Sequence, residues 1–306
     1  MIGCSSGDFL TRYFSPKDVA AAMGVSESSL KRWVDRGMIR AEKTAGGHRR
    51  LELDAVLEYV RRERRGLSQP EVLGLPAGIG LSVPDVAAMH HPFLEALVAG
   101  EEGIAGRLIL DAFIGGFSVA RIFDEIVAPG FRTIGNLWEC GRLAVYQERR
   151  ACEICTRVLH ELRRAVGHGA ADGPKCLGGS LDGDPYTIAT TMAELVLRDA
   201  GCRATSLGNM LPFDTLQQAL ENECPQLIWL SVTVIRDPDQ FAANLNSLFA
   251  TAQSAGAALV VGGQALTSEL RPRLQYTAYC DNFRHLESFA QMMIPRPAKP
   301  GMRHQA

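Results

Sequence analysis

Two short stretches of the sequence carry side chains that could bind or react, and they offer different chemistry. The first is SLKRW at Ser29–Trp33, followed by GGHRR at Gly46–Arg50. Its hydroxyls and cations are groups that bind phosphate oxygens. The second is SLDGDPYTIA at Ser180–Ala189, which follows a short apolar run and contains two carboxylates and a phenol. Polar residues at the carboxyl end of a buried strand favour a bound ligand or cofactor.

Composition limits the class of protein to which these stretches belong. The chain has 306 residues, 46% hydrophobic and 22% charged, as in a soluble globular protein of two or three domains. No apolar run approaches the roughly 18 residues of a membrane span, and MIGCSSGDFLTRYF lacks the order of a secretory signal. We expect no membrane partner and a cytoplasmic location.

Charge is divided unevenly along the chain. The segment from Arg12 to Arg65 contains 13 basic and 8 acidic residues, a net charge of +5, so the remainder carries −7 of the total of −2. Such asymmetry indicates that the amino-terminal segment meets a nucleic acid.

The amino-terminal segment predicts two short helices joined by a tight turn. Ser15 can cap a helix that begins at Pro16 and ends at Gly24, and Ser26 begins the next, SESSLKRWVDRG. In this second helix Leu30 and Trp33 fall on one apolar face. The outward positions are then those of Ser28, Ser29, Lys31 and Arg32.

Two extended runs around a glycine pair follow at Met38–Leu51, which predicts a β-hairpin wing with cations at its tip. Asp54–Val60 predicts a further helix. We interpret the charge run Arg61–Arg65 as the solvated end of that helix, with a second DNA contact as the alternative.

The stretch SPKDVAAAMGVSESSLKRWVDRGMIRAEKTAGGHRRL resembles the winged helix-turn-helix of MerR-family transcriptional regulators, over residues 13 to 65. The resemblance implies that the second helix lies in the major groove of DNA and that the wing holds the backbone. The residues thereby implied in groove contacts are Ser28, Ser29, Lys31 and Arg32. Those implied in wing contacts are Lys43, His48, Arg49 and Arg50.

The sequence pattern divides the chain into five segments. Residues 1–66 form the head, and Gly, Pro and Ser without periodicity at 67–84 predict an interdomain linker. Apolar residues every three or four positions at 85–168 predict a four-helix bundle. Alternating short apolar runs and helices at 172–294 predict an α/β domain with a flavodoxin-like parallel sheet. Residues 295–306 predict a disordered tail.

The bundle and the α/β domain behind this head resemble the cobalamin-binding, light-responsive repressors of carotenoid synthesis. That family carries Asp-x-His-x-x-Gly after the first strand, and here the motif is Asp184-Pro-Tyr186-Thr-Ile-Ala189. The later motifs align with Ser231-Val-Thr233 and Gly262-Gly263. In the bundle the family places a Trp and, ten residues on, Glu-His against the corrin. The corresponding residues here are Trp138, Glu148 and Arg149.

Both imidazoles of the resembled motifs are thus replaced. A neutral imidazole suits cobalt, whereas the phenol of Tyr186 must lose a proton to ligate well. The added carbon at Ala189 narrows the space in which a nucleotide tail would enter. The effector is therefore left unknown among three alternatives. They are cobalamin held with its own base or water below cobalt, another planar or hydrophobic ligand, and no ligand at all.

Several of these candidate site residues also have an interpretation in which they only stabilise the fold. Trp138 is expected to be a core anchor of the bundle, and Glu148–Arg150 to be either a solvated face or part of the site. His90 and His91 are expected at the first helix start, as caps or surface residues. The glycines at Gly178-Gly179 and Gly262-Gly263 fit turns at strand ends. The eight cysteines suit reduced thiols, and Cys152-x-x-Cys155 without a second pair predicts no metal site.

Together these features predict a DNA-binding transcriptional regulator, not an enzyme. Its partners would be double-stranded DNA, further copies of itself in a dimer or larger oligomer, and a small-molecule effector. Two alternatives stay open. They are a corrinoid-dependent enzyme or methyl-carrier component, and a ligand-free module that assembles DNA-binding heads.

Overall fold

The computed structural model describes residues 13–44, 46–81 and 84–294. The chain forms two compact units, Met1–Gly167 and His168–Ala306. The tail predicted at 295–306 lies outside the described residues. None of the helices within the described residues is long and apolar enough to cross a membrane.

The amino-terminal head consists of three helices and a small sheet. α1 (Pro16–Met23) begins with a capping box between Ser15 and Asp18, and it ends at Gly24 in the left-handed conformation. α2 (Glu27–Asp35) begins at Ser26, whose hydroxyl accepts the Ser29 amide. Both predicted helix starts are therefore confirmed, and the left-handed Gly24 sets the angle between the helices.

The predicted wing is present, with one strand that sequence patterns did not reveal. β2 (Glu42–Lys43) and β3 (Arg49–Glu52) are antiparallel. β1 (Tyr13–Phe14) pairs with the other edge of β3, in the order β1-β3-β2. β1 has two residues, too few for a hydrophobic period. α3 (Leu53–Arg62) follows directly.

The segment 67–84, predicted as a linker, is instead packed into the first unit over its described residues. Leu67 and Leu73 are each 1% exposed and Ile79 is fully buried. The amides of Ser68 and Gln69 donate to the Ala22 carbonyl at 2.8 and 3.1 Å. Isolated apolar residues between Gly and Pro lack helical periodicity, so this burial was not predictable from pattern.

The helical bundle contains α4 (Val86–Ala99), α5 (Glu102–Ile114), a long third segment and α8 (Val145–Val166). The third segment is continuous but not uniform: α6 (Val119–Ile122), a π-helical turn (Phe123–Val127) and α7 (Ala128–Glu139). The placement of His90 and His91 at a helix start was wrong, since α4 begins a turn earlier, after its cap Asp85.

Arg61 lies between the head and the bundle. Its guanidinium carbon lies 3.7 Å from the centroid of the Phe113 ring, and its Nη2 donates to the Phe117 carbonyl at 3.0 Å. The guanidinium carbon of Arg65 lies 4.6 Å from the centroid of the Trp33 ring. The expectation that Arg61–Arg65 is a solvated helix end was therefore wrong for Arg61, which is half-buried, whereas Arg65 is exposed and lies over one aromatic ring.

The second unit is an α/β domain with a five-stranded parallel sheet. Its strands are β4 (Lys175–Gly179), β5 (Arg203–Ser206), β6 (Leu227–Ser231), β7 (Ala258–Gly262) and β8 (Ala278–Cys280). Their order, β5-β4-β6-β7-β8, is the flavodoxin-like order that the sequence predicted. The connecting helices are α9 (Ile188–Asp199), α10 (Phe213–Glu223), α11 (Pro238–Ser254) and α12 (Phe283–Met293).

Strand alternation divides the β6 side chains between the two faces of the sheet. Ile228 and Leu230 belong to a core cluster with the apolar residues of α10 and α11. Trp229 points to the other face, where its indole nitrogen donates to Thr190 of α9 at 3.0 Å. The site residues that follow β4, β6 and β7 thus lie at the carboxyl edge of one sheet.

Candidate nucleic-acid interface and candidate ligand site

The outward face of α2 presents the residues predicted to enter a groove. Leu30 is fully buried and anchors the helix. Trp33 is half-buried and stacks on Tyr59 of α3, with ring centroids 5.2 Å apart. On the opposite face Ser28, Lys31 and Arg32 are exposed. The apolar stripe therefore fixes the rotation of α2 and directs its cations to solvent.

The outward residues of α2 differ in their freedom. Lys31 pairs with Glu27 one turn earlier at 2.7 Å, an exposed pair of small energetic value. Ser29 is half-buried, and the Ser26 hydroxyl donates to its oxygen, so it is less available than predicted. Arg32 has no ion-pair partner within the described residues. It is thus the α2 cation that can bind a base edge at the least cost.

The wing brings its cations together by strand pairing. Lys43 pairs in register with Arg49, and Glu42 with Arg50. Lys43, His48 and Arg50 are exposed, and the hairpin is closed by the Thr44 amide, which donates to the His48 carbonyl at 2.9 Å. These three side chains are placed where a wing can contact phosphates.

Arg49 has a different environment from the other predicted wing contacts. Its guanidinium pairs with Asp35, the last residue of α2, at 2.5 Å, and its side chain is 28% exposed. The phosphate contact implied for Arg49 stays a prediction, and in this structure the residue links the wing to α2. Local sequence patterns do not predict this ion pair, because Asp35 and Arg49 are 14 residues apart in the chain.

In the bundle Trp138 is 49% exposed, so the expectation that it is a core anchor was wrong. Near it Val145 and Tyr146 are 58% and 67% exposed. Glu148 is half-buried and accepts a hydrogen bond from the Cys152 thiol at 3.3 Å, while Arg149 extends into solvent 3.4 Å from the same carboxylate. The bundle therefore presents an aromatic, partly charged surface at the start of α8.

The cysteine pair on α8 is partly enclosed by the protein, with Cys152 half-buried and Cys155 buried. Burial, with the hydrogen bond to Glu148, raises the pKa of Cys152 to about 12, and burial raises the pKa of Cys155 further. Protonated thiols are poor ligands and poor nucleophiles. Across the ranges that the structure describes, no group of three or more His, Cys, Asp or Glu side chains could hold a metal ion.

At the sheet edge the carboxylate of Asp184 accepts hydrogen bonds from backbone amides. The residue is 2% exposed. Its Oδ2 accepts the amides of Thr233 and Val234, at 2.5 and 3.2 Å, and its Oδ1 accepts the Tyr186 amide at 3.2 Å. The carboxylate thus holds the loop after β4 against the loop after β6. Three of the roughly four acceptor sites of this carboxylate are therefore used by backbone amides.

The other predicted ligand-site residues are brought together only in part. Ser231, Gly262 and Gly263 line one cavity of about 190 Å³, with Ala189 at its wall. Tyr186 is 42% exposed and does not line that cavity, nor does Thr233. Gly263 has a φ of +128°, and a Cβ there would lie 2.1 Å from the Val232 carbonyl, so this glycine is required by the backbone alone.

Sequence reasoning missed Trp229, which also lines this cavity and is 2% exposed. It faces Gly178 in the strand register, and a Cβ on Gly178 would lie 2.1 Å from the indole ring. The expectation that Gly178 lies in a turn was therefore wrong. It is a strand residue whose missing side chain makes room for the indole. A Trp two residues before the Ser231 motif was the available signal.

A second cavity of about 360 Å³ lies on the other face of the sheet, at the carboxyl ends of β4 and β6. Its wall is mainly apolar, from Leu181, Val232, Phe213 and Phe241, and Arg236 lies at its rim. Neighbouring strands whose connections run in opposite directions form the topological switch point of such a sheet. This cavity has the size and position of a small-molecule site.

Two family models match separate parts of the chain. Residues 13–64 match a helix-turn-helix domain, and residues 89–163 match a B12 binding domain. The first match covers the head with its wing, and the second covers most of the helical bundle. The chain thus combines a helix-turn-helix head with a region of B12-binding type.

Two curated relatives have the same arrangement over most of their length. The HTH-type transcriptional repressor CarA of Myxococcus xanthus is 27% identical over 263 residues, which is 83% of this chain and 88% of CarA. The HTH-type transcriptional repressor CarH of the same organism is 27% identical over 274 residues, covering 82% and 89% of the two chains.

A solved structure shares the fold of the carboxy-terminal two-thirds. The monomethylamine corrinoid protein of Methanosarcina barkeri superposes with a TM-score of 0.56, over 66% of this chain and 96% of that one. Its sequence is 13% identical, so the likeness concerns the fold alone. The parallel sheet and helical bundle are therefore an architecture that is also found in corrinoid proteins.

Proposed function

We propose that the chain is a transcriptional repressor that binds duplex DNA through α2 and the wing. The observation that carries the proposal is the common exposure of Arg32 on α2 and of Lys43 and Arg50 on the wing, beside a buried apolar face. The similarity to two repressors over more than 80% of this chain supports the same activity.

Within this proposal the two cationic groups have different tasks. An α-helix fits the major groove, where an arginine can donate two hydrogen bonds to the O6 and N7 atoms of guanine. Arg32 is the side chain of α2 placed for that contact. Lys43, His48 and Arg50 would bind phosphates, which fixes the register without reading sequence. The Asp35–Arg49 pair holds the two elements at a constant separation.

A two-fold dimer is the assembly that this proposal requires. One three-helix head covers few base pairs, whereas a dimer reads two half-sites about one helical turn apart and gains affinity from both. The site should therefore be a near-palindrome. Analytical ultracentrifugation with and without a two-site duplex measures the stoichiometry.

The proposal contains no catalytic step, and it does not depend on cobalamin. The residues at the sheet edge do not fit cobalamin held through a protein ligand. The phenol of Tyr186 stands at the ligand position, and the oxygens of Asp184 are taken by backbone amides. A neutral imidazole donor, which suits cobalt, is missing from that position.

Selection from randomised duplex DNA with the full-length chain tests the proposal. We expect recovery of a near-palindromic sequence whose affinity falls steeply as salt rises, because phosphate contacts release counterions. Fluorescence anisotropy on the selected duplex and on a scrambled one gives the specificity ratio. Equal affinity for both, or no salt-dependent binding at all, contradicts the assignment.

A second candidate activity, response to a small effector other than cobalamin, is favoured by the cavity at the β4–β6 switch point. A molecule with an apolar body would contact Val232 and Phe241, and a polar group would meet Arg236. A fluorescent aromatic sulfonate is a suitable probe. Its fluorescence should rise on binding and should be lost in Val232→Trp, which fills the cavity. The control Val145→Trp changes an exposed residue outside the cavity.

A further inference from the structure

We propose that Trp229 is a built-in occupant of the cavity bordered by Ala189, Ser231 and Gly262, and that it makes the α/β domain complete without cobalamin. The inference goes beyond the proposed function, because it concerns what the carboxy-terminal region binds. It would hold whether or not the head binds DNA.

The indole is fixed on every side. Trp229 is 2% exposed, its ring lies against the backbone of Gly178, and its nitrogen donates to Thr190 at 3.0 Å. A buried indole N–H that has its hydrogen bond is in a satisfied, low-energy position. The side chain therefore cannot leave this place without losing both its packing and its hydrogen bond.

Gly178, in register with Trp229, and Gly262, at the cavity wall, are positions where a side chain would not fit. A Cβ on Gly178 would lie 2.3 Å from the Trp229 carbonyl oxygen, and one on Gly262 would lie 2.9 Å from the Cys280 carbonyl. The indole and the neighbouring strand therefore leave no space at Gly178 for a further group. Protein interiors are close-packed and deform little.

The space that remains is small. The cavity beside Trp229 measures about 190 Å³. Sites that enclose organic ligands usually measure about 300–1,000 Å³. The motif residues Ala189, Ser231 and Gly262 surround this remnant, so the positions that resemble a cobalamin motif now border an interior filled by the protein itself.

The polar side chains of Asp184 and Tyr186 also do not face the cavity as free ligand-binding groups. Asp184 accepts three backbone amides, and Tyr186 is directed to solvent at 42% exposure. Tyr186, Asp184 and the small cavity beside Trp229 therefore all favour a domain that folds without a bound ligand. One substitution at Tyr186 would not restore the site, because the volume occupied by Trp229 would still be missing.

Titration with hydroxocobalamin tests the inference on the full-length chain. The absorbance spectrum and the retention of the corrinoid on gel filtration are measured for wild type, Tyr186→His, Trp229→Ala and the double variant. We expect no retention by wild type or Tyr186→His, and at least ~10-fold tighter binding by the double variant than by either single variant. Trp229→Val replaces Trp229→Ala should the latter fail to fold, with far-ultraviolet circular dichroism as the check.

Three results would overturn the inference. They are stoichiometric retention by wild type, binding by Tyr186→His as tight as that of the double variant, and a folded double variant that binds no better than wild type. DNA affinity of wild type, measured separately, is expected to be the same with and without hydroxocobalamin. Loss of DNA binding in both conditions would defeat the proposed repressor and leave the corrinoid results unaffected.

Discussion

The head and the α/β domain use polar side chains in opposite ways. In the head Arg32, Lys43 and Arg50 stay exposed, and the elements of Arg32 and Arg50 bury Leu30 and Leu51. In the α/β domain Asp184 and Trp229 are buried, and each makes its hydrogen bonds within the protein. One region keeps its binding groups available, and the other has used them to complete its own structure.

This difference separates motif residues that have a structural task from those that would contact a ligand. Gly262 and Gly263 of the motif also meet a need of the backbone, since a Cβ would lie 2.9 Å from the Cys280 carbonyl oxygen at the first and 2.1 Å from the Val232 carbonyl oxygen at the second. The residues that would contact a ligand directly, Tyr186 and Ala189, are those that changed. Motif residues with a second, structural task are therefore weaker signs of binding than those with none.

The sharpest test of the self-filled domain is the substitution Gly178→Ala. The new Cβ would lie 2.1 Å from the indole of Trp229, so the sheet or the indole must move. We expect a loss of stability of about 3 kcal/mol. Hydrogen exchange of the β4 and β6 amides measures it locally, which avoids assuming two-state unfolding of a chain with two units.

Gly135→Ala is the matched control, because a Cβ at Gly135 of α7 would meet nothing within 4 Å. A helical glycine replaced by alanine should leave stability unchanged or raise it by about 0.5–1 kcal/mol. If Gly178→Ala were equally harmless, the space beside Trp229 would be larger than the structure indicates.

The open character of the head is tested by Arg32→Ala. Loss of an arginine that donates to a base edge should cost about 1–3 kcal/mol of binding free energy and relax sequence preference. Anisotropy titrations on the selected duplex measure both effects. Arg132→Ala on α7 removes an equally exposed arginine outside the head and should leave affinity unchanged. An unchanged Kd for Arg32→Ala would remove α2 from the interface.

The Asp35–Arg49 pair gives a finer distinction within the head. Because this pair is partly exposed, its contribution to stability should be about 0.2–1 kcal/mol. A double-mutant cycle with Asp35→Ala and Arg49→Ala isolates that coupling. We expect Arg49→Ala to weaken DNA binding less than Arg50→Ala. The reverse order would mean that Arg49 contacts phosphate directly.

The smallest expected effect concerns Tyr13, whose hydroxyl donates to Glu42 at 3.1 Å. This hydrogen bond, with the nearby carboxylate charge, raises the pKa of Tyr13 to about 12. A pKa raised on folding means that the stabilisation is present below the ordinary value of about 10 and is lost as the pH rises towards 12.

Glu42→Gln should lower the pKa of Tyr13 towards the ordinary value, since the amide keeps an acceptor but loses the charge. Carbon-13 NMR of labelled tyrosine over a pH series measures the shift, and Tyr13→Phe identifies the resonance. A titration that is the same in wild type and Glu42→Gln would show that the Tyr13–Glu42 pair does not link β1 to β2 across β3.

Periodicity and capping residues were enough to predict much of the fold. The caps Ser15 and Ser26, the apolar face with Leu30 and Trp33, and the alternating strands and helices after residue 172 are local signals. The two-residue strand β1, the packed segment 67–84 and the exposure of Trp138 were not predicted. Each depends on which distant residues lie nearby, and local pattern contains no such information.

The sequence by itself determined the order of the parts: a cationic helix-turn-helix with a wing, a helical bundle, and an α/β domain with a degenerate cobalamin motif. Only the tertiary structure decided that Arg49 is paired with Asp35, that Asp184 accepts backbone amides, and that Trp229 is buried at the wall of the cavity beside Ser231 and Gly262. The physical reason is that element type follows from short-range preference and periodicity. Availability of a side chain follows instead from hydrogen bonds and packing between residues far apart in the chain.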